Sequence, residues 1–88
     1  MSNTLLRLPA VKARSGYSRS TIYLRMAQGL WTRPVSLGAR AVAWPEGDVA
    51  ALNAARIAGQ TDAQIRGLVQ RLEAARQAGL VGMAVELE

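Results

Sequence analysis

Cysteine and histidine are both missing from the 88 residues. Without cysteine, disulfides and thiolate metal sites are excluded. Without histidine, the chain lacks the commonest general base and the commonest neutral metal ligand. Phenylalanine is missing too, and the aromatics are two tryptophans and two tyrosines. The interior therefore needs Trp31 and Trp44 as bulk, and both are expected in the core. No long apolar run occurs: "LLRLPAVKA" is broken by Arg7 and Pro9, too short and too interrupted for a signal peptide or a membrane span. A soluble cytoplasmic protein of one small domain is the expectation, with no membrane partner.

The fourth scarcity is one of sign. Residues 1–44 contain seven cations and no Asp or Glu, whereas residues 45–88 hold four arginines against six acids. The net charge of +5 is thus a difference between a strongly basic half and a mildly acidic one. A half-chain without acids produces a one-signed field that attracts a polyanion. Ten of the eleven cations are arginine, the side chain whose planar fork suits phosphate and guanine.

The same scarcity argues against catalysis. Glu46 and Asp48 form a close carboxylate pair, but two residues apart on a helix they point in different directions. Their place in a first helical turn is explained by the helix dipole. Lys12, the only lysine, follows no glycine-rich loop, and the serines have no histidine to activate them. The expectation is no enzyme, no cofactor, no metal and no small-molecule substrate.

What is present divides into short elements. Pro9 suits a helical first turn, so residues 9–14 read as a short helix ending near Ser15-Gly16. Ser18 is a good N-cap for a second helix over about 19–28, with Gly29 just past its end. Tyr17 and Ile22 have the spacing of a hydrophobic staple. Two short helices around a glycine-containing turn outline a helix-turn-helix. In "WTRPVSLGARAVAW", Val35 and Leu37 alternate around Ser36, Val42 and Trp44 alternate around Ala43, and Gly38 supplies a turn, which reads as a hairpin. Pro45 opens a third helix, with Val49 and Leu52 facing inward, and Gly59 closes it. Thr61 and Gln64 form a capping box for a fourth helix, on which Ile65, Leu68, Val69, Leu72 and Ala75 share one face and which Gly79 is expected to end. The tail "LVGMAVELE" reads equally as a strand or an irregular end.

The second helix carries the chemistry. "SGYSRSTIYLRM", residues 15–26, holds two arginines, two tyrosines, four hydroxyls outside the tyrosines and no acid. At about 100° per residue, Ile22 and Met26 share a core face. Ser20, Thr21, Leu24 and Gln28 lie on the other side, flanked by Arg19, Tyr23 and Arg25. In a helix-turn-helix, the start of the second helix reaches base edges in the major groove. Short hydroxyls there donate to phosphate or base, and the free amides of a helix start favour phosphate. The plain alternative is that Ser18, Ser20 and Thr21 only cap and solvate a helix, but three cationic or phenolic neighbours and no acid favour DNA. Leu24, nearly opposite the core face, either packs on Leu30 across the Gly29 turn, the expectation here, or meets a thymine methyl group. Arg40, at the hairpin turn, is placed to hold a phosphate or enter a minor groove.

These residues carry a resemblance. "LLRLPAVKARSGYSRSTIYLRMAQGLWTRPVSLGARAVAWPEGDVAALNAARIAG" closely resembles the AlpA family of prophage and integrative-element regulators, small winged helix-turn-helix proteins related to excisionases and to the DNA-binding domains of the MerR class. The likeness covers about residues 4–59 and rests on "SRSTIY", "RPVSLG" and "AVAWPE" in combination. "TDAQIRGLVQRLEAAR" is similar to the tail helix many members carry. The resemblance implies a mainly α fold with a small β-hairpin wing, a MerR- or excisionase-like winged helix-turn-helix over residues 1–59, and a C-terminal helix and tail over residues 60–88. That last segment belongs to the same compact unit or serves oligomerisation. It also implies that residues 18–28 are the recognition helix and 33–44 the wing, so that Ser18, Arg19, Ser20, Thr21, Tyr23 and Arg25 meet DNA together with Arg33 and Arg40. Some members read Tyr-Arg-Leu where this chain has Tyr23-Leu24-Arg25. The exchange moves the arginine by about 100° around the helix, toward phosphate and away from base edges.

The expected function is thus sequence-specific binding of double-stranded DNA by a protein of a prophage or integrative element, in the cytoplasm and associated with the nucleoid. The resemblance implies regulation of excision and integration genes, or action as an excisionase, a recombination directionality factor that serves a separate integrase. A short winged domain makes few base contacts, so self-association as a dimer or a cooperative multimer on DNA is expected. The fourth helix is about 28 Å long, more than three short helices can cover. Ile65, Leu68, Val69 and Leu72 are therefore expected at a contact between protomers. The rival from another class is a protein-interaction adaptor that docks through this same apolar face.

Overall fold

The computed structural model describes the backbone of residues 4–87 and the side chains of residues 4–77. Helix α1 (Leu8–Ser15) begins where Pro9 needs no amide partner. The carbonyl of Arg7 accepts from the amides of Ala10 and Val11, and Gly16 ends the helix in a left-handed conformation, φ 76°. Helix α2 (Arg19–Ala27) starts at the cap expected, with the Ser18 hydroxyl accepting from the Thr21 amide at 3.2 Å. It ends in a paired glycine cap: Leu30 donates to the Arg25 carbonyl at 2.8 Å and Gly29, φ 76°, to that of Met26 at 3.1 Å.

Strands β1 (Leu5–Leu6), β2 (Val35–Ser36) and β3 (Val42–Pro45) form an antiparallel sheet in the order β1-β3-β2. The hairpin pairs Val35 with Ala43 and Ser36 with Val42, and Leu37 donates to Ala41 across the turn at 2.7 Å. The first strand has no counterpart in the expectations from sequence. It sets Leu6 opposite Trp44 and extends to a bond from the Glu46 amide to the Thr4 carbonyl. Helix α3 (Glu46–Ile57) follows β3 without a loop. Helix α4 (Asp62–Leu87) opens on a reciprocal capping box: the Thr61 amide donates to Gln64 Oε1 at 2.9 Å and the Gln64 amide to Thr61 Oγ1 at 3.2 Å.

Two expectations about the C-terminal segment are corrected. Helix α4 runs through Gly79 to Leu87, where a stop at Gly79 and a strand or irregular tail were expected. A glycine inside a helix costs only about 1 kcal/mol, and Leu80, Met83 and Ala84 are good helix formers. Glu88 lies outside the described residues. The apolar stripe, too, goes inward. Ile65 and Val69 are 1% and 6% exposed within the chain's own core, and Leu68 and Leu72 pack against it half-buried. Ile65 and Val69 thus have no surface to offer a second protomer or the partner of an adaptor. The physical reason is that α3 turns back at Gly59 (φ 75°) and lays the start of α4 over the helix-turn-helix.

The core is one cluster in which Val11, Ile22, Trp31, Trp44, Leu52 and Ile65 are nearly or wholly inaccessible. Both tryptophans lie in it as expected, and the Trp44 indole donates to the Thr32 carbonyl at 2.9 Å. The fold is mainly α with a small β-hairpin wing, a winged helix-turn-helix carrying a C-terminal helix.

Candidate nucleic-acid interface

The outer face of α2 begins with a knot of hydroxyls. Ser18 Oγ lies 2.9 Å from Thr21 Oγ1 and 3.2 Å from Ser20 Oγ, besides accepting from the Thr21 amide. Capping and display of hydroxyl groups therefore coexist at one place, since Ser18 and Ser20 remain exposed and Thr21 half-exposed.

The two arginines of this face are held in the same way. The Arg19 guanidinium lies over the Tyr23 ring at 5.3 Å, and that ring meets Trp44 edge-on at 6.4 Å. The Arg25 guanidinium lies over the Tyr17 ring at 5.4 Å, and that ring meets Trp31 edge-on at 5.8 Å. Each surface arginine is thus carried on a tyrosine that is carried on a buried tryptophan. A cation above a ring face within about 6 Å is attracted by the ring quadrupole. Edge-to-face contacts fix the ring beneath it. The outcome is two guanidinium groups with restricted rotamers on a face without acids.

Leu24 stands between them, 57% exposed, while Leu30 is buried. The expected packing of Leu24 on Leu30 lacks the burial it required. On the wing, Arg33 precedes β2 and Arg40 lies in the bend between β2 and β3, both exposed, together with Leu37 at 46%. Of the seven cations in residues 1–44, Arg14 alone makes an ion pair among the described residues, to Glu46 at 3.4 Å.

A layer behind this face was missed from sequence. Four bonds run from side chains of α4, one to the end of α2, two to the root of the wing and one to α3. Arg66 Nε donates to the Gln28 carbonyl at the end of α2, at 2.9 Å. Glu73 Oε2 accepts from the Arg33 amide at 2.8 Å, and Arg76 Nη2 donates to the Arg33 carbonyl at 2.8 Å. The same Arg76 Nη2 lies 2.6 Å from Asp48 Oδ2, whose residue is 6% exposed. Asp48 had been fully explained by the helix dipole, so nothing local pointed to a partner in α4. Among the described residues no cluster of three metal-ligating side chains forms, and no helix is long and apolar enough to cross a membrane.

Comparison with known proteins bears on residues that form this face. The family model for the prophage CP4-57 regulatory protein (AlpA) matches residues 4–56, from the first strand to the end of α3. A protein of Enterobacteria phage P4, ORF88, described as uncharacterized, is 47% identical over 55 residues, which are 62% of this chain and 62% of that protein. The chain therefore matches somewhat under two thirds of that relative's length. No solved structure matches. With more than half of its residues matched, including both helices of the helix-turn-helix and the whole wing, the chain belongs to the AlpA family of prophage regulatory proteins.

Proposed function

We propose that this protein binds double-stranded DNA sequence-specifically, with α2 in the major groove and the hairpin as a wing on the backbone. The observation that carries the reading is the acid-free outer face of α2, where Arg19 and Arg25 are held on tyrosines beside the Ser18–Ser20–Thr21 hydroxyls. Side chains already ordered lose less freedom on binding. Arg19, Ser20, Thr21 and Tyr23 face the groove. Ser18, at the helix start, and Arg25, around its flank, hold phosphate, and Arg33 and Arg40 add wing contacts. As a regulatory protein of a prophage or integrative element, it would use this surface to control excision and integration genes, to act as an excisionase beside an integrase, or both. Several copies on repeated or inverted sites would supply the base contacts one short domain lacks.

Gel-shift titration against DNA from the element's control and attachment regions, at two salt concentrations, tests the reading. Binding must weaken steeply with salt. Arg19→Ala is expected to lose about 1–3 kcal/mol of specific binding. Arg25→Ala should instead lower the salt slope by roughly one. Wild-type affinity in both variants at moderate salt overturns the assignment. In vitro transcription and integrase-dependent excision assays on the same DNA separate the two regulatory uses.

Leu24 supplies a finer test. An exposed leucine in a polar reading face gains from contact with the C5-methyl of thymine. Replacing single thymines of the bound site by uracil should reveal one position where wild-type affinity drops roughly fourfold, the worth of one buried methyl-sized group. Leu24→Ala should be indifferent to that replacement. Equal sensitivity in both proteins removes Leu24 from the interface.

A further inference from the structure

We propose that α4 is a brace for the DNA-contacting elements: Arg66 and Glu73 are positioning residues that hold the end of α2 and the root of the wing in their bound geometry without touching DNA. The proposal rests on the DNA-binding reading above and adds to it a role for a helix beyond the family match, which ends at residue 56.

The bonds of α4 fall on main-chain groups that nothing in the helix-turn-helix or the hairpin satisfies. At the end of a helix the last carbonyls lack partners and the dipole is negative, so a cation there both bonds and neutralises. Arg66 takes this place at Gln28. The Arg66 side chain runs beside Gly29, within ordinary van der Waals reach of a Cβ at that position, 3.6 Å. Arg33 is the first residue of the wing, before β2 begins at Val35. Its amide and its carbonyl are each bonded by α4, through Glu73 and Arg76, as though by a neighbouring strand. The sheet itself offers these groups nothing, since β3 pairs with β2 only at Val35 and Ser36.

The three contacts are spaced along one side of α4, seven and three residues apart, so a single rigid helix fixes both ends of the segment from Gln28 to Arg33. That segment joins the recognition helix to the wing. Its geometry sets whether the two elements can reach a groove and the adjoining backbone together. Misplacement of a contact by a small distance costs affinity even where every contacting side chain is intact, because the binding step must then order the chain.

The test uses the full chain and two mild variants, Glu73→Ala and Arg66→Ala. Both leave the Asp48–Arg76 pair intact, and both expose only groups that water can reach. The first readout is amide hydrogen exchange by NMR, without DNA. Exchange at residues 28–30, 35–37 and 42–44 should quicken roughly two- to tenfold, the factor one lost hydrogen bond allows, while the amides of α3 stay unchanged. Acceleration spread evenly over all elements, or none at the hairpin, overturns the brace. The second readout is affinity for the bound duplex, measured well below the melting temperature. A roughly three- to tenfold weaker Kd with an unchanged salt slope is expected. A slope lowered by about one in Arg66→Ala would make Arg66 a phosphate contact and overturn its positioning role. Wild-type affinity in both variants overturns the use of the brace in binding. If wild-type protein binds no duplex at all, the DNA reading falls, and the exchange measurement alone still upholds or removes the brace.

Discussion

Trp44→Ala is expected to unfold a large share of the molecules at room temperature. The ring is fully buried, pairs through its strand with Leu6, and supports Tyr23 from below. Truncating a buried tryptophan costs about 3–5 kcal/mol, and a domain of this size has roughly 5–15 kcal/mol in total, toward the lower end when small. The loss has two further parts. The Thr32 carbonyl would lose the indole N–H it accepts at 2.9 Å, and the ring under Tyr23 and Arg19 would lose its seat. Trp44→Phe separates these terms, because it keeps most of the bulk and removes the donor. That variant should fall short of wild type by about 1–2 kcal/mol, between a lost hydrogen bond and a small cavity. Urea denaturation followed by circular dichroism measures both. A Trp44→Ala protein that melts like wild type would mean that the indole carries no part of the core.

How far the sequence reveals this molecule depends on the range of the interaction. Ser18 with Thr21, Thr61 with Gln64, and Gly29 after Gln28 were all legible, because each signal lies within one helical turn of its effect. The hairpin was legible because alternation and a turn residue sit in one stretch. The first strand was not. Two residues have no period, and their partners, Trp44 and Pro45, lie about forty positions away. The stripe on α4 was seen, and the use of Ile65 and Val69 was misjudged for the same reason. A run of apolar residues at helical spacing says that a face must be covered, and only the path of the chain decides by what. The arginines of α2 were read as a DNA-facing set from charge, from their place on the helix beside the hydroxyls and from the family resemblance. That they rest on Tyr17 and Tyr23 was hidden in part. Arg19 and Tyr23 are four apart on one helix, but Tyr17 lies before the helix and reaches Arg25 only through the turn at its start.

Arg76→Ala should be the most damaging change outside the core. Asp48 is 6% exposed and its carboxylate meets Arg76 at 2.6 Å, in the first turn of α3. Removing the partner of a nearly buried carboxylate leaves its charge poorly compensated, at a cost of up to about 3–5 kcal/mol for a fully buried pair. The α3 dipole softens that cost by a few tenths to 1 kcal/mol, so the lower end of the range is expected. The Arg33 carbonyl loses a donor in the same step. The pair itself need not be stabilising. Arg76 Nε is buried without a hydrogen-bond partner, so part of the desolvation of the guanidinium goes uncompensated. The double change Asp48→Leu with Arg76→Met should therefore recover much of what Arg76→Ala loses, as apolar replacements of buried pairs often do. Urea titration of the single and double variants closes a mutant cycle. A coupling near zero, with Arg76→Ala as stable as wild type, would mean that Asp48 is satisfied by the helix start alone and that α4 holds the winged domain through Arg66, Glu73 and the apolar contacts of Ile65 and Val69, without the ion pair.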